Sequence, residues 1–189
     1  MARPLSEEKR EAILEAAAEL VATLGTGAPT AKIAQAAGLA EGTLFTYFAT
    51  KDALLNELFL AVEAELAATM LEGYPGKAAA RAQCRHMWDR FIDWAALNPM
   101  KHKAMRQLKV SDRISAESKK RGEILFQEVK ALLAQNLAGH AAKENMPDYN
   151  GAVLGALADM TLDFIARHPR KREAYKQAGF EAFWKAIAR

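Results

Sequence analysis

The chain is short of the residues that would staple it or break it up. It has one cysteine, Cys84, in 189 residues, so no intramolecular disulfide can form and no cysteine cluster can hold a metal. Eleven glycines and six prolines are few for a loop-rich chain. Val and Ile are sparse beside abundant Ala, a bias toward helix over sheet. No uncharged apolar run approaches the roughly 18 residues of a membrane span, and the opening MARPLSEEKREAIL lacks the apolar core of a signal peptide. These absences point to a cytoplasmic protein that does not engage a membrane. The histidines, His86, His102, His140 and His168, are dispersed, and no pair has ligand spacing beside a carboxylate, so neither a metal nor a cofactor is expected. No nucleophile–base constellation or phosphate loop is present, so an enzyme is not expected.

Helix is what remains. Hydrophobic residues make up 51% and charged residues 26% of the chain, within the globular range. The net charge of +3 permits nucleic-acid binding without arguing for it. Ser6 followed by Glu7 and Glu8 reads as a helix start, with a capping hydroxyl and carboxylates at the positive end of the helix dipole. Ile13, Ala17, Leu20, Val21 and Leu24 then form one apolar stripe, which Gly25, Gly27 and Pro29 end.

Thr30 can cap a second, short helix with Ile33, Ala34 and Ala37 on one face, closed by a left-handed Gly38. A third short helix covers about Glu41 to Phe48. Lys51-Asp52 opens a fourth with Leu54, Leu55, Leu58, Phe59, Val62 and Leu66, ending by Gly73-Tyr74-Pro75-Gly76. Five further helices are expected at about 77–97, 100–110, 114–138, 150–167 and 171–187, with a break at Asn145-Met146-Pro147-Asp148. The expected fold is all-α with about nine helices and no strand. It divides into an N-terminal three-helix domain, 1–51, and a larger helical domain, 52–189.

Residues 38–51 read GLAEGTLFTYFATK. Two short helices joined by a glycine-containing turn make a helix-turn-helix, whose second helix lies in the DNA major groove. Leu44 and Phe48 are four apart and share a face that packs on the first two helices. Phe45 and Tyr47 point elsewhere, so the aromatics divide into an anchor and a reading face. Gly42 permits close backbone approach, and Thr43 offers a hydroxyl.

Thr30, Ile33-Ala34, Ala37-Gly38, Gly42-Thr43-Leu44, Tyr47-Phe48, Lys51 and Leu54-Leu55 together resemble the signature of the tetracycline-repressor (TetR) family of bacterial transcriptional regulators. The match covers about residues 8–60. The resemblance implies that Thr30, Tyr47 and Lys51 contact phosphates and that Glu41, Gly42, Thr43, Phe45 and Thr46 face the groove, with Arg3 and Lys32 near phosphates. Three positions depart from the family pattern. Ala40 stands where a capping Ser is common, Phe45 where Tyr is usual, and Glu41 where a basic or polar residue is frequent. Phe45 keeps a ring for a thymine methyl. Glu41 would repel phosphate or accept a hydrogen bond from a cytosine amine. Residues 1–51 hold five basic and six acidic side chains, so a shallow salt dependence of DNA binding is expected.

In the resembled family the second domain dimerises and binds a small inducer. Met87, Trp88, Phe91, Met105, Phe126 and Met160 are candidates for an apolar pocket, with Phe164 also expected to be buried; the same residues suit a helical core. Cys84 reads as a small buried apolar residue. The basic stretches 101–109 and 119–121 read as solvated helix faces, and Asp159 and Asp163 as the polar side of their helix. Leu154, Leu157, Phe180, Phe183 and Trp184 are candidates for a two-fold interface of the last two helices. The implied partners are an operator duplex, an unidentified small-molecule ligand and a second copy of the chain. The expected function is a homodimeric repressor of a near-palindromic operator, released by ligand. The alternatives are a family member acting as an activator, or a helical scaffold or enzyme whose N-terminal unit only packs.

Overall fold

The computed structural model describes residues 6–138 and 147–187. Arg3, His140 and the Asn145-Met146 part of the expected break lie outside the described residues. The helices are α1 (Glu7–Leu24), α2 (Thr30–Ala36), α3 (Glu41–Tyr47), α4 (Lys51–Leu71), α5 (Ala80–Leu97), α6 (Pro99–Lys109), α7 (Ala116–Leu125), α8 (Gln127–Leu137), α9 (Pro147–Arg167) and α10 (Arg172–Ile187), with a 3-10 turn at Pro169–Lys171. No strand occurs among the described residues, and no helix among them is long and apolar enough to cross a membrane.

The expected helix 114–138 is two helices, so that the described residues form ten α-helices where about nine were expected. The break falls at Phe126 (φ −92°, ψ 2°), which precedes α8. Neither glycine nor proline marks that point. The boundary between two compact units falls close by, between Ile124 and Leu125. Of the described residues, the first unit contains 6–64 and Asn98–Ile124; the second contains Glu65–Leu97, 125–138 and 147–187.

Local signals explain most helix ends. The Ser6 hydroxyl accepts a hydrogen bond from the Lys9 amide, 3.4 Å. Gly25, at φ 79°, follows α1. The Thr50 hydroxyl accepts from the Ala53 amide at 3.0 Å and caps α4, a cap that the sequence reading missed beside Lys51. Gly73 ends α4 at φ 67°.

In the first unit, α6 lies along α1. Lys101 pairs with Glu15 at 2.6 Å, and the Gln107 amide donates to the Ala22 carbonyl at 3.3 Å. The basic stretch 101–109 is therefore only partly a solvated face. Its Lys109 also pairs with the buried Glu63 at 2.8 Å. Asn56 joins α4 to the turn before α7: it donates to the Arg113 carbonyl at 3.0 Å and accepts from the Ser115 amide at 3.0 Å.

The second unit is built around Trp88 of α5, which is fully buried. Its indole N–H donates to the Lys176 carbonyl at 3.0 Å. Its ring stacks on Phe183 with centroids 6.3 Å apart and meets Phe180 at 6.4 Å. Lys176 is itself buried and donates to both carboxylate oxygens of Asp93, at 2.9 and 2.8 Å. Burial alone would raise the Asp93 carboxyl, but hydrogen bonds from Lys176 and Arg172 outweigh it and hold the group below its ordinary value. Cys84 is fully buried on the same helix. Burial pushes its thiol up to about 12, so thiolate chemistry is suppressed near neutral pH.

α10 approaches this cluster through Gly179. A Cβ there would sit 2.6 Å from Trp88 Cζ2 and closer still to the Thr161 hydroxyl. Thr161 is held in place because that hydroxyl donates to the Leu157 carbonyl at 2.7 Å. Gly179→Ala is expected to destabilise the protein by about 1–3 kcal/mol through overpacking. Denaturant unfolding checks this, and an unchanged midpoint would mean that the α10 packing is looser than described.

Candidate nucleic-acid interface

α2 and α3 have seven residues each, too few to persist as isolated helices. Burial on neighbours holds them. Ile33 and Ala34 of α2, Leu44 of α3 and Phe48 just beyond it join Ile13, Ala17 and Val21 of α1 and Leu54, Leu55 and Leu58 of α4 among the buried residues. Leu20 is only half-buried, and Leu24 is 51% exposed, so the α1 stripe narrows toward its end. Arg10 reinforces the anchor. Its guanidinium lies 5.7 Å from the Phe48 ring centroid and bonds Glu57 at 2.7 Å.

The turn between α2 and α3 is a Schellman motif. The Leu39 amide donates to the Ala34 carbonyl at 2.9 Å, and the Gly38 amide to the Gln35 carbonyl at 3.0 Å. Gly38 has φ 70°, a conformation that costs a glycine little and other residues more. α3 then starts after Ala40, which supplies no side-chain cap.

With Leu44 inward, the other side of α3 is open. Glu41, Gly42, Phe45 and Thr46 are exposed, and Thr43 and Tyr47 are half-buried. The division of aromatics into anchor and outward face is therefore present: Phe48 is 3% exposed and Phe45 41%. Thr46 donates its hydroxyl proton to the Gly42 carbonyl at 3.1 Å. The Tyr47 hydroxyl accepts from the Ser6 amide at 3.1 Å, which leaves its own proton available for an acceptor such as phosphate. Lys32 is exposed and Lys51 half-buried. Burial lowers the Lys51 ammonium from its ordinary value. Arg113 adds to that shift, and Asp52 opposes it.

Thr30 differs from expectation. It is the first residue of α2 and does not cap it; Pro29 holds the capping position without a side-chain bond. The Thr30 hydroxyl donates instead to Glu41 Oε1 at 2.6 Å, across the turn.

The residues proposed for the second domain separate. Met87, Trp88 and Phe91 are buried core side chains of α5, and Met105 is buried on α6, in the other unit. Phe126 is half-buried at the α7–α8 break. Met160 and Phe164 are 47% and 36% exposed, which corrects the expectation that they are buried. Three of the five interface candidates are used inside the chain. Leu154, Phe180 and Phe183 are 5%, 1% and 0% exposed within a single chain, so a second copy could not reach them without repacking. Leu157 and Trp184 are half-buried. Periodicity marked these positions as apolar but could not say which apolar face turns inward.

Among the described residues, α2, the Gly38 turn and α3 on its buried anchor form a helix-turn-helix within an all-helical fold. Residues 13–58 match the family model for bacterial regulatory proteins of the tetR family. A putative tetR-family transcription regulator from Shewanella sp. PV-4 superposes with TM-score 0.84 at 26% identity, over 96% of this chain and 98% of that one. A TetR-family regulator from Marinobacter aquaeolei VT8 gives 0.82 at 21% identity, over 96% of each chain. The transcriptional regulator FadR of Bacillus subtilis, solved with stearoyl-CoA, gives 0.72 at 19% identity over 92% of this chain and 97% of that one. Residues 13–58 thus carry a helix-turn-helix of the tetR type, and the fold over nearly the whole chain is that of TetR-family transcription regulators.

The anchor and the outward face separate in a mutational test. Leu44→Ala is expected to cost about 2–5 kcal/mol of stability, whereas Phe45→Ala should stay within about 0.5 kcal/mol of the parent. Thermal or urea unfolding of the two variants measures this. Equal losses would show that Phe45 belongs to the core.

Proposed function

We propose that the protein is a homodimeric repressor of a near-palindromic operator, released when a small molecule binds its second domain. Residues 1–51 serve as the DNA-binding domain and 52–189 as the ligand-binding and dimerisation domain. The observation that carries this reading is the open face of α3 opposite the buried Leu44–Phe48 anchor. In the complex Gly42, Thr43, Phe45 and Thr46 meet base edges, while Lys32, Tyr47 and Lys51 meet phosphates.

Dimerisation follows from the geometry of such readers, since two recognition helices must enter major grooves about 34 Å apart. The last two helices support a pairing face different from the one first expected. α9 exposes Ala152, Ala156, Met160 and Phe164, and α10 exposes Ala174, Ala178 and Ala182. The five alanines suit close helix packing in a two-fold bundle, and Met160 and Phe164 supply apolar area for it.

The stearoyl-CoA in the B. subtilis FadR structure belongs to that protein. For this chain it supports a small-molecule effector held by the second domain. Release then requires the effector to bind one conformation of the dimer more tightly than the DNA-competent one.

The test is an anisotropy titration of the purified protein on the DNA upstream of its own gene, at two salt concentrations, with scrambled duplex as control. Saturable binding to the native fragment is expected. Lys51→Ala should weaken binding to every sequence alike and reduce the salt slope by about 1. Absence of binding to any genomic fragment would sink the reading.

A further inference from the structure

The contact between Thr30 and Glu41 raises a question that the reading above does not answer. A threonine hydroxyl carries one proton. In this structure that proton is given to Glu41 Oε1 at 2.6 Å. Phosphate oxygens only accept, so Thr30 cannot donate to a phosphate while it holds Glu41. The two residues are 11 positions apart and lie on different helices, α2 and α3. The bond bridges the turn and restrains an exposed carboxylate that would otherwise sample several rotamers.

The restrained group is unusual for a surface that meets DNA. A carboxylate repels phosphate, and it accepts hydrogen bonds without donating any. The only donors that bases present in the major groove are the cytosine N4 and adenine N6 amines. These are not equivalent for an anion. The adenine amine lies between two acceptors, its own N7 and the thymine O4. The cytosine amine has guanine O6 on one side and only carbon on the other. Thr30 occupies one lone pair of Oε1, and Oε2 receives no protein hydrogen bond in this contact. Glu41 is exposed on the same side of α3 as Phe45, four residues on and so one helical turn away.

We infer that Glu41 specifies a cytosine in each half-site by accepting a hydrogen bond from its N4 amine, and that Thr30 is the positioning residue that aims the carboxylate rather than a phosphate contact. This rests on the DNA-reading role proposed above and adds the base that one position selects. The negative charge in the reading face then acts as a filter. Paired with a cytosine amine it is compensated; against any other base it is left desolvated beside acceptors.

The experiment is selection of the full-length protein on a pool of randomised duplex DNA, followed by titration of single-base variants of the selected site. The parent should prefer C·G at one position of each half-site by about tenfold or more, the discrimination a good base contact supplies. Glu41→Ala should abolish the preference at that position and leave the others intact. Glu41→Gln should move it toward A·T, because a carboxamide can pair with both adenine N6 and N7. Thr30→Val should weaken the preference at that same position, and Thr30→Ser should restore it. Three results would overturn the inference: a Glu41→Ala variant with an unchanged base profile, a Thr30→Val variant whose affinity falls equally for all sequences, or a Glu41→Ala variant that loses thermal stability while its base preferences persist. If the parent selects no sequence at all, the DNA-reading proposal fails and takes this inference with it. Selection by the parent with an unaltered Glu41→Ala profile removes only the inference.

Discussion

Leu44 and Phe48 bear most on what this protein presents to the outside. α3 is seven residues long and could not hold its shape alone. It exists because those two side chains, one turn apart, are buried with Ile13, Val21 and Leu54. Once they point inward, helical geometry leaves Glu41, Gly42, Phe45 and Thr46 outward. The Schellman turn at Gly38 sets where α3 begins relative to α2, and the Arg10 guanidinium lies over the Phe48 ring. The outward face of α3 is therefore a consequence of the core rather than a separately stabilised feature.

The second unit follows the same logic with larger side chains. Trp88 meets a ring on one side and a glycine on another, and its N–H is satisfied by the Lys176 carbonyl. Gly179 permits the approach, and Lys176 stays buried because Asp93 compensates its charge. Polar and apolar requirements are met by the same stretch of α10. This use of Phe180 and Phe183 inside the chain is what leaves small and scattered apolar residues on the outer surfaces of α9 and α10 for another role.

Much of the fold was legible beforehand. The ends of α1, α2 and α4 are written in Ser6, Gly25, Gly38 and Gly73, because capping involves residues within one turn of each other. The outward and inward aromatics of α3 followed from a spacing of four. Other features were not legible. The α7–α8 break at Phe126 has no breaker residue. Met160 and Phe164 looked like core and are exposed, while Phe180 and Phe183 looked like an interface and are internal. Helices α9 and α10 carry apolar residues on more than one side, and a periodic pattern then fits two orientations equally well.

From sequence alone came what depends on neighbours a few residues apart: helical character, most caps, the glycine-marked turn and the motif that resembles the tetR signature. Only the tertiary structure decided which apolar face of α10 is buried, where the chain passes from one compact unit to the other, and that the Thr30 hydroxyl serves Glu41 instead of capping its own helix. Each of those depends on groups brought together across the turn or from distant parts of the chain, and periodicity does not encode which distant surface a helix will meet.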